Sequence, residues 1–101
     1  MKNLHIVTLN PSKHEARKSF YNKAKLFVCG NTVVLRSYDT FVCALYRGRF
    51  YRLWNDYSAT TMRHINSFID QYGLTGGGKS WWMNLPLCSD RVRKNILQFA
   101  Y

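Results

Sequence analysis

The sequence predicts an α+β fold: a small antiparallel β-sheet of three to four strands packed by one amphipathic helix, with additional N- and C-terminal helices. Three observations carry this expectation. Between Lys25 and Trp54, β-branched and aromatic runs are broken by turn residues. Between Ser58 and Gly73, apolar residues recur at helical spacing. A chain of 101 residues with 47% hydrophobic content supplies one modest core, so residues 1–101 are expected to form a single small basic domain.

Residues 3–9 predict a short buried strand, because Leu4, Ile6, Val7 and Leu9 place apolar groups on both faces. Asn10 as a cap and Pro11 at a first helical position then predict a helix over Ser12–Lys25. Ala16, Phe20 and Ala24 lie on one side of it, and Lys13, Arg17, Lys18, Lys23 and Lys25 make it basic. Gly30-Asn31 separates Leu26-Phe27-Val28 from the run Thr32 to Leu35, and Arg47-Gly48 separates Phe41 to Tyr46 from Arg49 to Trp54, both at hairpin spacing. In the last of these strands, alternation puts Arg49, Tyr51 and Leu53 on one face and Phe50, Arg52 and Trp54 on the other. Arginine on both faces marks an edge strand, where charge discourages pairing with a neighbouring chain.

Ser58 caps the clearest helix, Ala59 to Tyr72, and Gly73 ends it in the left-handed conformation that glycine adopts without strain. Met62, Ile65, Ile69 and Tyr72 form its buried stripe, flanked by Thr61 and Phe68. Arg63, Ser67 and Asp70 fall on the wet face. His64 lies between that face and the stripe, so a partly exposed imidazole bonded to backbone or water is expected. A glycine loop and an aromatic turn ending at Pro86 follow. A last helix from Ser89 to about Phe99 buries Val92, Ile96 and Phe99 and turns Arg91, Lys94, Asn95 and Gln98 outward.

Fifteen Lys and Arg against five Asp and Glu give a formal net charge of +10, which draws the chain toward a polyanion. Its aromatic content of 16% excludes a disordered basic tail. Cys29, Cys43 and Cys88 are odd in number and lack metal-ligand spacing, so free thiols and no metal are expected. No apolar run reaches the length of a signal-peptide core or a membrane span, and a reducing cytoplasm without membrane association fits both observations.

Gly73-Leu74-Thr75-Gly76-Gly77-Gly78-Lys79-Ser80 matches the P-loop pattern letter for letter. A working P-loop needs a strand before it and a long helix after it, so that backbone N–H groups converge on the phosphates. Here a helix precedes it and Gly73 is that helix's terminator. The glycines therefore read as a flexible loop that leaves Lys79 free to meet an anion. The acids, His5, His14, His64 and the cysteines are scattered, so no catalytic constellation forms; the protein is not expected to be an enzyme, and no cofactor is expected.

Three pieces, Ser19-Phe20-Tyr21-Asn22-Lys23-Ala24, Ser37-Tyr38-Asp39-Thr40 and Tyr57-Ser58-Ala59-Thr60-Thr61-Met62-Arg63-His64-Ile65-Asn66-Ser67-Phe68, carry a resemblance that runs from about Ser19 to Pro86. Over this stretch the chain resembles a family of short uncharacterised proteins of Gram-positive bacteria, their phages and mobile elements. The resemblance implies a setting: small proteins of this kind often act on nucleic acid or block a host defence complex such as a CRISPR effector. It implies no particular functional residues.

The stretch from Tyr46 to Trp54 interleaves three arginines with four aromatics. A guanidinium offers a planar fork of donors to phosphate, and aromatic rings offer faces to unstacked bases, so nucleic acid is the expected partner. The expected contacts are Tyr46, Arg47, Arg49, Tyr51 and Arg52 on the hairpin, Arg63, Lys79 and Trp81 beyond it, and Arg91 and Lys94 on the last helix. Arg47 and Arg49 at the turn lead this set, whereas Phe50 and Trp54 are expected to close the core. The alternative is a protein-binding inhibitor of a host defence protein or ribonucleoprotein, anti-CRISPR-like and acting without catalysis, in which the same arginines with Trp81 and Trp82 anchor the interface.

Overall fold

A computed structural model describes residues 3–13, 15 and 19–100 and places five strands in one antiparallel sheet. They are β1 (Leu4–Thr8), β2 (Ala24–Cys29), β3 (Thr32–Ser37), β4 (Thr40–Tyr46) and β5 (Arg49–Arg52), and their order in the sheet is their order in the chain. The expected count of three to four strands is therefore corrected to five. β1 adds the fifth by pairing with β2 from Leu4↔Cys29 to Thr8↔Lys25. It is not the buried strand that its apolar residues predict: all five positions are exposed, because β1 is one edge of the sheet and the helices pack elsewhere. β5 is the other edge.

Two of the three two-residue hairpin turns carry a glycine at positive φ, and the third has Tyr38 there, at φ 55°. Gly30 has φ 59°, and Gly48 follows Arg47 with φ of 81° and 52° respectively, the primed geometry that matches the twist of a two-residue hairpin. The N-terminal helix expected over Ser12–Lys25 is corrected: its described residues Ser12, Lys13, Glu15, Ser19 and Phe20 are not helical, and no helix stands between β1 and β2 among the described residues. Tyr21 and Asn22 have φ of 51° and 62° in a turn closed by the Lys23 N–H on the Phe20 carbonyl at 2.9 Å, and Ala24 and Lys25 already belong to β2. His14, Ala16, Arg17 and Lys18 lie outside the described residues.

Pairing sorts the side chains into two faces. Leu26, Leu35, Cys43 and Arg52 are in register on one, and Phe27, Val34, Ala44 and Tyr51 on the other. The first face is covered by α1 (Ala59–Gln71) and the short α2 (Lys79–Asn84), whose Met62, Ile65, Phe68, Ile69 and Trp82 complete the larger core. The second is covered by α3 (Asp90–Ile96) and a 3-10 turn, Gln98–Ala100, through Ile96 and Leu97. Phe99 stacks on Phe27 with ring centres 5.6 Å apart. Each large side chain fully removed from water contributes about 1.5–3 kcal/mol, so two modest cores share the stabilisation of a three-layer fold.

The α1 signals act as the sequence predicts. Ser58 Oγ accepts from the Thr61 N–H, and at the other end Gly73, at φ 64°, donates to the Asp70 carbonyl while Leu74 donates to that of Ile69. This two-bond closure satisfies carbonyls the helix would leave open. Two assignments on its polar side are corrected. Ser67 is buried rather than wet, because the chain after Leu9 crosses it and the Ser12 N–H donates to its Oγ at 3.2 Å. His64 is buried as well, between the rings of Phe20 and Tyr38.

Candidate nucleic-acid interface

Tyr46 and Arg49 are directly opposed across the β4–β5 hairpin, and Tyr51 follows Arg49 on the same face. This is the face on which α3 lies. At the tip, the Arg47 guanidinium sits 5.3 Å from the centre of the Tyr46 ring, within cation–π range. Arg47 is exposed and holds a φ that costs a residue with a side chain about 1–2 kcal/mol. Its place at the tip is therefore not one that local backbone preference selects.

α3 starts at Ser89, whose Oγ accepts from the Val92 N–H at 3.3 Å. Asp90 in its first turn and Arg93 and Lys94 in its last complement the helix dipole. Val92 and Ile96 turn toward the sheet, which leaves Arg91, Lys94 and Asn95 exposed, with Arg91 one turn before Asn95 on the same side. Arg93 is spent on the fold, donating to the Leu53 carbonyl. The end of α3 and the hairpin tip border a common cavity of about 530 Å³. The fold thus brings the Arg47 turn to the end of α3, where Asn95 and Ile96 line the same cavity, while Arg49, Arg91 and Lys94 are exposed but do not line it.

The other expected contacts are placed elsewhere. Arg52 is 5% exposed and is removed from the interface: its Nε donates to the Trp54 carbonyl and its Nη1 to that of Leu85, both at 2.9 Å. Arg63, on the α1 side of the sheet, pairs with Glu15 at 3.2 Å. Lys79 is exposed with its Nζ 5.0 Å from the centre of the Tyr57 ring. Trp81 is half-buried against Phe50, with ring centres 5.5 Å apart. Phe50 and Trp54 pack against the α1 core, as the alternation predicts.

The glycine loop has the flanks expected of a chance match to the P-loop pattern, α1 before it and the six residues of α2 after it. Gly76, Gly77 and Gly78 all have positive φ, and the Asn66 side-chain oxygen accepts from the Gly78 N–H at 3.0 Å. A Cβ at Gly76 would collide with the Trp81 ring, so its absence is what lets this ring lie against the loop.

One arrangement has no sequence signature. Ser37 Oγ lies 2.7 Å from His64 Nδ1 and 2.9 Å from Thr61 Oγ1, and all three residues are buried. The residues that meet here are 24 and 27 positions apart. Only the i, i+3 spacing of Thr61 and His64 on one helix side hints at it. Cys29, Cys43 and Cys88 are free thiols, and burial pushes the Cys43 thiol well above its ordinary value. Among the described residues no group of His, Cys, Asp and Glu is placed to hold a metal ion, and no helix is long and apolar enough to cross a membrane.

Fold and site define a small α+β protein with a partly polar cavity that Arg47 borders. Residues 7–84 match the model of a family of unknown function (DUF8033), and the chain belongs to that family. The match reaches further toward the N-terminus than the resemblance read from Ser19 onward. No curated protein and no solved structure matches the chain.

Proposed function

We propose that the protein is a non-catalytic nucleic-acid-binding protein of a phage or mobile element, acting in the cytoplasm and holding phosphates with Arg47, Arg49, Arg91 and Lys94. The observation that carries this reading is the convergence of the hairpin tip, with Arg47, and the end of α3 on one cavity. Arg47, Arg49, Arg91 and Lys94 are exposed cations on the two elements that border this cavity, where each is open to a phosphate. Tyr46, half-buried beneath the Arg47 guanidinium, is available to stack. The phage or mobile-element setting comes from the family resemblance. The inhibitor reading is weaker, because Trp82, one of the two tryptophan anchors it relies on, is wholly buried.

Gel shifts with single-stranded DNA, duplex DNA and RNA at two salt concentrations test this directly. Binding is expected to fall steeply with salt, and Arg47→Ala or Lys94→Ala to flatten the logarithmic salt dependence by about one unit or slightly less. Lack of retention of every nucleic acid at low ionic strength sinks the proposal.

A further inference from the structure

We infer that the cavity between the hairpin tip and α3 receives one unstacked nucleotide, its base inside and its phosphate at Arg47. This rests on the nucleic-acid reading above and goes further by naming the unit that is bound and the form of the strand.

The cavity's volume of about 530 Å³ lies in the range of small-molecule sites. Among the described residues its lining includes two aromatic rings, Tyr46 and Phe99, three side-chain amides, Asn31, Asn95 and Gln98, and the cation Arg47. No acidic side chain lines it among the described residues. A phosphate only accepts hydrogen bonds, so it has no use for the amide carbonyl oxygens. A nucleobase edge presents donors and acceptors side by side, which an amide matches with its NH2 and C=O. Gln98 Nε2 already donates to the Asn95 carbonyl at 2.9 Å, which fixes its amide and leaves its oxygen as the acceptor. Asn31 and Asn95 are exposed at the rim and can turn to meet either edge. The aromatic rings provide the apolar surface that a base face needs. Arg47 is held over Tyr46, so a phosphate bonded to it stays next to that ring.

A base paired within a duplex cannot enter a concave site without leaving its stack, so the geometry favours single strands. The same chemistry could be offered by a free nucleotide, and the test separates the two sources.

Fluorescence anisotropy is measured with short labelled single-stranded oligonucleotides and with abasic strands carrying the same phosphates. Strands with bases are expected to bind about tenfold tighter than abasic ones at every salt concentration. In Asn95→Leu and Tyr46→Leu that difference should collapse while the salt slope persists; near-UV circular dichroism confirms that both variants are folded. Equal affinity for the two strands in the native protein overturns the nucleotide site and leaves the basic-surface reading standing. Failure of both strands to bind overturns the strand reading. In the second arm, nucleoside monophosphates are titrated while the side-chain amide resonances of Asn31 and Asn95 are followed. Shifts there without strand binding support the nucleotide site and assign it to free nucleotide; no shift in this arm and no strand binding overturn both readings.

Discussion

The guanidinium of Arg52 lies 4.9 Å from the centre of the Trp82 ring. With its bonds to the Trp54 and Leu85 carbonyls it clamps the end of the β5 edge strand to the turn after α2. The Trp82 indole N–H in turn donates to the Asp56 carbonyl at 2.7 Å, so the clamp is held from both sides. Arg52→Ala leaves two carbonyls without their donors and a gap against the ring. The expected loss is about 3 kcal/mol in urea unfolding. Arg52→Lys keeps the charge but cannot span both carbonyls, and it should recover only part of that loss.

Arg47→Asn separates stability from binding. Asparagine tolerates the left-handed backbone of the tip better than arginine does, so the midpoint of thermal unfolding should stay level or rise, by the equivalent of at most about 1 kcal/mol. Nucleic-acid affinity should fall in the same variant. A parallel loss of both would show that Arg47 belongs to the fold rather than to a contact.

Gly76→Ala is expected to destabilise more than Gly48→Ala. Both positions have positive φ, at 136° and 81°, but only at Gly76 does the added carbon meet a ring. The displaced Trp81 ring loses its packing on Phe50, so tryptophan fluorescence should shift to longer wavelength in Gly76→Ala alone.

Alkaline pH provides a test of the buried thiol. The Cys43 thiol stays protonated in the folded protein well above its ordinary value of 9.0, because burial disfavours the thiolate, whereas in the unfolded chain it ionises near that value. The folded state then binds more protons, so stability is fully present below about pH 9 and falls as pH rises further. The slope is about 1.4 kcal/mol per pH unit for one thiol. Urea midpoints measured across this range should fall less steeply in Cys43→Ala than in the native protein. Cys88 is raised by burial too and contributes in the same direction.

Much of this architecture is legible in the residues themselves. Gly30, Gly48, Ser58, Gly73 and Ser89 stand where turns and caps require them, and alternation correctly puts Arg52 on the same face as Phe50. What alternation cannot say is which face becomes covered. Arg52 reads as a surface cation until α2 and Leu85 close over it, and those arrive some thirty residues later. β1 reads as buried because its residues are apolar, yet burial needs a layer above the strand. The turn at Tyr21 and Asn22 defeats pattern reading for another reason: tyrosine is not a residue that announces positive φ. The candidate interface was half legible. Arg47 and Lys94 are visible in the sequence as cations, and the meeting of their two elements at one cavity depends on α3 crossing the far face of the sheet.

The in-sequence order of the five strands bears on how the protein folds and where it opens. β2, β3, β4 and β5 are joined by two-residue turns, so each of their ladders can zip from its own hairpin with little loop entropy to overcome. β1 must instead close a loop running from residue 9 to residue 23 before its first bond to β2 can form. With an outer edge that has no partner strand among the described residues and side chains open to water, it is the strand most easily released. Amide exchange should therefore be fastest in β1 among the strands, and its opening should leave the other four paired.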